Sequence, residues 1–278
     1  MDIYQTVTGF YRAHAGEKRI IGGSYLGRNL YAVRLGEGRP VGIATYAIHG
    51  REWITAKLAL AQSCGAIWGS VWLLPLLNPD GALLSQVGIK SAVGSEYHAW
   101  LSGFTGEELS LWKANARGVD LNVNFAAKWG TGEANVWHPC AENFVGECAF
   151  SEKETKALRD FTLEIRPDYT MSYHTKGEEI YWHFGQTPCM RLRDFRIAKA
   201  LSSVIGYPLK EVRGSAGGYK DWCISALKIP SITIEVGEEK WPHPLDERAL
   251  NKILKENAMA LDVVARAVQK ENNRYGKV

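Results

Sequence analysis

The sequence predicts an α/β fold, a single domain built on a mixed, mostly parallel, twisted β-sheet with helices on both faces. Three observations carry this. Short apolar runs alternate with helix-patterned segments along most of the chain, and such alternation implies a sheet covered on both sides. The run Val71 to Leu77 is continuously apolar, as a strand buried on both faces must be. A chain of 278 residues, 46% hydrophobic and 23% charged, can bury one large core without a second domain, so 1–278 reads as one unit.

In chain order, the pattern predicts an opening helix over 2–14 and strands over 19–25, 29–35 and 41–48. A helix over 52–64 carries Trp53, Ile54, Ala56, Leu58, Ala59 and Leu60. Asn78-Pro79-Asp80-Gly81 is a turn signal that ends the strand over 71–77, and 88–118 reads as irregular surface loop with short helix. Ser151-Glu152-Lys153-Glu154 has the form of a capping box, which predicts a helix over 152–165. A strand over 168–174, a helix over 189–205, a short helix near 218–226, a strand over 230–236 and a long closing helix over 246–270 complete the alternation. Asn272 to Lys277 reads as a frayed tail.

Composition narrows the function. With 33 Lys and Arg against 30 Asp and Glu the net charge is only +3, and no dense basic run interleaved with aromatics occurs, so nucleic acid is not an expected partner. No apolar stretch has the length of a membrane span, and the N-terminus lacks the basic start and apolar run of a signal peptide. A cytoplasmic location is the expectation. Cys64, Cys140, Cys148, Cys189 and Cys223 are odd in number and irregular in spacing, which fits free thiols in a reducing compartment; Cys140 and Cys148 flank a loop and are the pair that export would bridge. The 10 Trp and 12 Tyr suit core packing, with a substrate groove as the other use.

Ala47-Ile48-His49-Gly50-Arg51-Glu52-Trp53 sets an imidazole and a carboxylate three positions apart where an apolar strand ends. Zinc accepts such nitrogen and oxygen donors, and a catalytic site needs two or three of them plus an open position. Because His-x-x-Glu also arises by chance, the pair alone does not establish a site. A third donor stands in Tyr169-Thr170-Met171-Ser172-Tyr173-His174-Thr175, again at a strand end. Ligands gather at the carboxyl ends of strands in open α/β sheets, so His49, Glu52 and His174 are expected to converge on one Zn2+ per chain. Taken alone, His174 reads as a satisfied histidine capping a strand. Ile232-Thr233-Ile234-Glu235-Val236-Gly237 embeds a carboxylate in an apolar strand. Burial raises such a group toward operating pH, which suits Glu235 to general acid/base work; a pair with a buried Arg is the structural alternative.

These motifs, together with Gly118-Val119-Asp120-Leu121-Asn122-Val123-Asn124-Phe125, follow the order found in the zinc metallocarboxypeptidase family (peptidase family M14), which the chain resembles over most of its length. The resemblance implies that 1–278 is one zinc peptidase catalytic domain, that His49, Glu52 and His174 bind zinc and that Glu235 is the catalytic glutamate. It implies that Arg117 polarises the scissile carbonyl, that Asn122 helps hold the carboxylate of the residue after the cleaved bond, and that Arg51 contacts substrate beside the ligands. Departures from the digestive members are informative. Val123 stands where those enzymes fork an arginine onto the substrate's C-terminal carboxylate, a pairing valine cannot make. Arg213 stands where they have a mobile tyrosine. Lys220 falls at the base of their side-chain pocket, where a cation favours an anionic substrate tail; the other reading is a solvent-facing residue at a helix start.

A nearer resemblance is to bacterial γ-D-glutamyl-diamino acid peptidases, through Trp112 to Asn122, Phe125 to Gly130, Gly177 to Trp182 and Gly214 to Trp222. It implies a muropeptide substrate, with meso-diaminopimelate on the leaving side. Lys220 or Arg213 would then pair the distal carboxylate, and Glu178, Glu179 or Asp221 the ammonium. A carboxypeptidase acting on ordinary peptides and an N-acyl-amino-acid deacylase remain alternatives. A silent binding module is opposed by retention of every ligand and of Glu235. Oligomeric state, endo or exo preference and the identity of the diamino acid are left open.

Overall fold

The computed structural model describes residues 1–274. Eight strands pair into one sheet: β1 (Lys18–Gly23), β2 (Asn29–Gly36), β3 (Val41–Tyr46), β4 (Ser70–Leu74), β5 (Tyr169–His174), β6 (Glu179–Tyr181), β7 (Leu209–Lys210) and β8 (Ser231–Glu235). Their order is β1-β2-β4-β3-β5-β8-β6-β7. The central pairs β4/β3, β3/β5 and β5/β8 are parallel, as is β6/β7, while β1/β2, β2/β4 and β6/β8 are antiparallel. The sheet is therefore mixed and mostly parallel, as expected.

The helices are α1 (Ile3–Ala13), α2 (Ile54–Gln62), α3 (Pro79–Val87), α4 (His98–Leu101), α5 (Gly106–Ser110), α6 (Lys153–Ile165), α7 (Pro188–Ile205), α8 (Tyr219–Trp222), α9 (Glu247–Asn257) and α10 (Ala260–Arg274). Side chains alternate across the sheet, so Ala44, Val71 and Leu73 join one core with α1, α2, α7, α9 and α10. Ile43, Trp72 and Leu74 enter a second core with α6 and α8 on the opposite face. Among the described residues no helix is long and apolar enough to cross a membrane.

The structure corrects several sequence expectations. Asn78 to Gly81 does not form a free turn: Asn78 caps α3, its side-chain oxygen accepting from the Gly81 amide at 2.9 Å, with Pro79 in the first turn. The segment 88–118 is not all surface, since Leu101, Leu109, Trp112 and Ala114 pack with Leu84 into a third apolar cluster. The short strands β6 and β7 lack enough periodicity to be read from sequence. The closing helix is two helices, because the Asn257 carbonyl accepts from Gln62 Nε2 at 2.9 Å in place of a helical partner. Residues 272–274 continue α10, so the tail reading fails there, and 275–277 lie outside the described residues.

The capping box at Ser151 also does not form. Ser151 Oγ accepts from Asn124 Nδ2 at 2.9 Å and donates to Glu152 Oε1 at 2.7 Å, leaving Glu152 as a cap without a side-chain bond. Glu154 is instead fully buried, its carboxyl pushed up to about 8 by loss of solvent and by the Asp80 carboxylate. Folding thus favours the protonated form, so this group's contribution to stability is present below its ordinary value of 4.5 and is lost as pH rises toward about 8. Thermal melts of Glu154→Gln are expected to show a smaller loss of Tm over that pH range than wild type. Equal losses would refute the assignment.

Candidate metal centre and active site

The three central parallel strands end together. β3 runs into the turn carrying His49 and Glu52, β5 ends on His174, and β8 ends on Glu235, which is in register with His174. Ala47 takes a left-handed φ of 49° as the chain leaves β3, and its amide donates to Thr55 Oγ1 at 2.8 Å. That hydroxyl donates in turn to the Glu52 carbonyl at 2.9 Å, tying strand end to turn. Asn78 Nδ2 donates to the Ile48 carbonyl at 3.1 Å and to the Ala114 carbonyl at 3.0 Å. The amides of Gly50 and Arg51 donate to the carbonyls of Lys113 and Trp112 at 3.0 and 2.7 Å. Gly50 allows this approach: a Cβ there would lie 2.5 Å from the Gly81 carbonyl and 2.7 Å from that of Trp112.

His49, Glu52 and His174 converge, each buried, with one donor atom apiece within 4.8 Å of the others. The two Nδ1 atoms lie 3.2 Å apart, His49 Nδ1 lies 2.8 Å from Glu52 Oε1, and His174 Nδ1 lies 3.0 Å from Glu52 Oε2. A shared proton satisfies only one pair of these atoms, whereas one dication satisfies all three. The spacings are also near the about 3.3 Å required by about 2.0 Å bonds at a tetrahedral angle. The donor set therefore fits zinc.

Asp120, a residue without an assigned role at the sequence level, supports this group from behind. Its Oδ1 is 3.2 Å from His49 Nε2 and accepts from the Asn122 amide at 3.0 Å, while Oδ2 is 3.0 Å from Lys113 Nζ. Burial opposes its ionisation, but Lys113 and His49 outweigh that and hold the carboxyl well below the usual range. A carboxylate behind a ligating imidazole fixes the ring's orientation and basicity. Asp120→Asn is expected to weaken zinc binding by about 10- to 100-fold in a chelator competition titration. Unchanged affinity would deny the role.

Glu235 is half-buried and opens on a cavity of about 190 Å3 lined also by Asn122, Tyr181, His183, Lys220 and Asp221. Loss of solvent pushes its carboxyl up to about 7, against the pull of His174 and with a further push from Glu52. A smaller cavity of about 130 Å3 adjoins His49 and is lined by Lys113, Asp120, Asn122 and Val123. Asn122 thus borders both, and because its Oδ1 accepts from the Tyr219 amide at 3.1 Å, its Nδ2 is the donor left for a ligand.

Arg117 is not brought to this group. It donates to Tyr25 Oη at 3.1 Å and pairs with Glu147 at 2.9 Å and Glu152 at 3.4 Å, with its guanidinium over the Tyr25 ring. The nearby cation is Lys113, whose charge acts on His49 and Glu235. Burial works to lower its pKa, but Asp120 and Glu52 win and leave it raised. Its only sequence signal is a charge set between residues that bury, Trp112 and Ala114. Arg213 is exposed and lines neither cavity. Lys220 is not solvent-facing: its side chain is 13% exposed, and Nζ meets Asp221 Oδ1 at 2.5 Å and the His183 carbonyl at 3.1 Å. Glu178 pairs with Lys252, and Glu179 meets Tyr181 Oη at 2.6 Å and Lys210 at 3.3 Å, so of these three acids Asp221 is the one that joins Glu235 in the cavity. Arg51 stays on the metal turn, 3.4 Å from Glu142. All five cysteines are unpaired.

A family model described as "Zinc carboxypeptidase" matches residues 69–260, a span that begins after His49 and Glu52. Gamma-D-glutamyl-L-diamino acid endopeptidase 1 of Lysinibacillus sphaericus is 30% identical over 249 residues, covering 82% of this chain and 62% of that protein. The chain therefore spans about three fifths of that relative's length. Among solved structures, bovine thrombin-activatable fibrinolysis inhibitor superposes with a TM-score of 0.80 at 20% identity, covering 98% of each chain. Murein-tripeptide amidase MpaA from Escherichia coli O157 superposes with a TM-score of 0.62 at 24% identity, covering 91% of this chain and 95% of that one. At these identities the two structures establish a shared fold.

Proposed function

The chain belongs to the zinc carboxypeptidase family, and on that premise we propose that it is a zinc-dependent peptidase cleaving the γ-D-glutamyl-diamino acid amide of peptidoglycan-derived peptides. The observation that carries the substrate is the cavity beside Glu235, where Lys220 and Asp221 present opposite charges with side chains only 13% and 7% exposed. The far end of meso-diaminopimelate carries one ammonium and one carboxylate, which these two side chains match. Val123 borders the neighbouring cavity, so the forked grip on a terminal carboxylate is missing there. The Lysinibacillus relative's name supports the same reading. Unpaired cysteines suit a reducing compartment, where the substrate would be recycled wall peptide.

Zinc held by His49, Glu52 and His174 would supply Lewis acidity toward water and the amide carbonyl. Glu235 takes the proton of the attacking water and returns it to the departing amine, a cycle suited to a carboxyl raised to about 7. The Lys113 ammonium, bordering the cavity beside His49, is the cation that would stabilise the oxyanion. Asn122 and Lys220 fix the register of the leaving residue.

Incubation with L-Ala-γ-D-Glu-meso-diaminopimelate and with an ordinary blocked dipeptide, followed by mass identification of products, tests the assignment. Release of diaminopimelate alone is expected; preferential trimming of the ordinary peptide would replace it with the carboxypeptidase reading. Lys220→Met is expected to lower kcat/KM for the diaminopimelate peptide relative to its lysine counterpart by about tenfold or more. An unchanged ratio would remove Lys220 from recognition.

A further inference from the structure

The metal donors and the cation beside them come from segments far apart in sequence, and one buried side chain ties the two together. Asn78 is fully buried at the start of α3. Its Nδ2 donates to the carbonyl of Ile48, the residue before His49, at 3.1 Å. The same nitrogen donates to the carbonyl of Ala114, the residue after Lys113, at 3.0 Å. One carboxamide therefore joins the backbone that carries a metal donor to the backbone that carries the cation. Its own position is fixed from two sides: the Asn78 amide donates to the Ala47 carbonyl at 3.0 Å, and Oδ1 accepts from the Gly81 amide at 2.9 Å. Gly81 leaves room for the bridge, since a Cβ there would lie 2.3 Å from the Ala114 carbonyl oxygen and 2.6 Å from Asn78 Nδ2.

An irregular segment has no regular ladder of hydrogen bonds to set its distance from a neighbour, so buried cross-links must set it. The amides of Lys113 and Ala114 both donate to the Ala141 carbonyl, which ties the segment to the 141–143 loop. Toward the metal turn, Gly50 and Arg51 take the carbonyls of Lys113 and Trp112, and Asn78 takes that of Ala114. A buried carbonyl deprived of its donor costs free energy, and the segment relieves that cost by shifting toward another partner. A misplacement of about 1 Å at a group that acts in the transition state lowers a rate by up to about 100-fold.

We infer that Asn78 is a positioning residue: its carboxamide sets the distance between the His49 turn and the Lys113 ammonium, and so places the cation for the reaction. The inference rests on the role given to Lys113 above and extends it to the residue that fixes its place. The metal donors do not depend on this bridge, because Thr55 ties Ala47 to Glu52 and Asp120 backs the His49 ring.

Asn78→Ser separates the bridge from the cap, since a serine hydroxyl accepts from the Gly81 amide but is too short to reach both carbonyls. In the zinc-loaded full chain, kcat on whichever peptide of the assay above is cleaved is expected to fall by about 10- to 100-fold, with zinc affinity in a chelator competition within about threefold of wild type. Exchange of the Gly50 and Arg51 amides, which bond to Lys113 and Trp112, is expected to quicken while that of β3 does not. In a Lys113→Met background the same substitution is expected to lower kcat by less than about threefold, because the group it positions is gone. Gly81→Ala, which wedges a methyl group between Asn78 and Ala114, is expected to give the same pattern and replaces Asn78→Ser if that variant does not fold. Full activity in the folded variants beside an impaired Lys113→Met overturns the bridge alone. So does unchanged exchange at Gly50 and Arg51, a loss undiminished in the Lys113→Met background, or a zinc affinity that falls in step with kcat. An unimpaired Lys113→Met overturns the role of Lys113, and the bridge with it.

Discussion

Glu235→Gln is expected to keep zinc bound and to lower kcat by about 10²- to 10⁴-fold, the range that general acid/base catalysis supplies. The amide preserves the shape of the side chain and its place at the end of β8, in register with His174, but has no basic oxygen to accept a proton at neutral pH. Glu235 is not one of the three converging donors, so metal content by elemental analysis should match wild type. Its setting explains why the loss is large. Removal from water raises the carboxyl to about 7, where one group both takes and returns a proton efficiently. Retained turnover in a zinc-replete Gln variant would refute the role.

The second large effect is expected at Lys113. Lys113→Met should lower kcat by about 10²- to 10³-fold, comparable with removal of one oxyanion-stabilising donor, while Arg117→Met should leave kcat close to wild type. Lys113 borders the cavity beside His49, whereas Arg117 is spent on Tyr25, Glu147 and Glu152. Steady-state kinetics of the two variants on one substrate, with zinc content held equal, decides between them. The reverse pattern would restore Arg117 as the catalytic cation and leave Lys113 as a partner of Asp120.

Much of this molecule was legible before folding was considered. The apolar run at 71–77 marked a strand buried on both faces, and β4 lies inside the sheet between β2 and β3. His49, His174 and Glu235 each stood at the end of a strand-like run, and three adjacent parallel strands bring such ends to one edge. Where local signals had competitors they failed. Ser151 and Glu154 matched a capping pattern, but Asn124 and the buried surroundings of Glu154 claimed those side chains. Residues 246–270 had continuous helical periodicity, yet Gln62, remote in sequence, takes the Asn257 carbonyl and breaks the helix.

The sequence by itself determined the fold class and singled out the three donors that converge and the carboxylate proposed as general base, because each follows from a short-range pattern in which chemistry sits at the end of a regular element. Only the tertiary structure decided which cation stands beside His49 and which charges enter the cavity. Lys113 and Arg117 occupy one irregular segment, where no periodicity assigns a direction to a side chain. Direction there comes from distant backbone bonds: the amides of Lys113 and Ala114 donate to the Ala141 carbonyl at 3.0 and 2.8 Å, and the Lys113 carbonyl accepts from Gly50 at 3.0 Å.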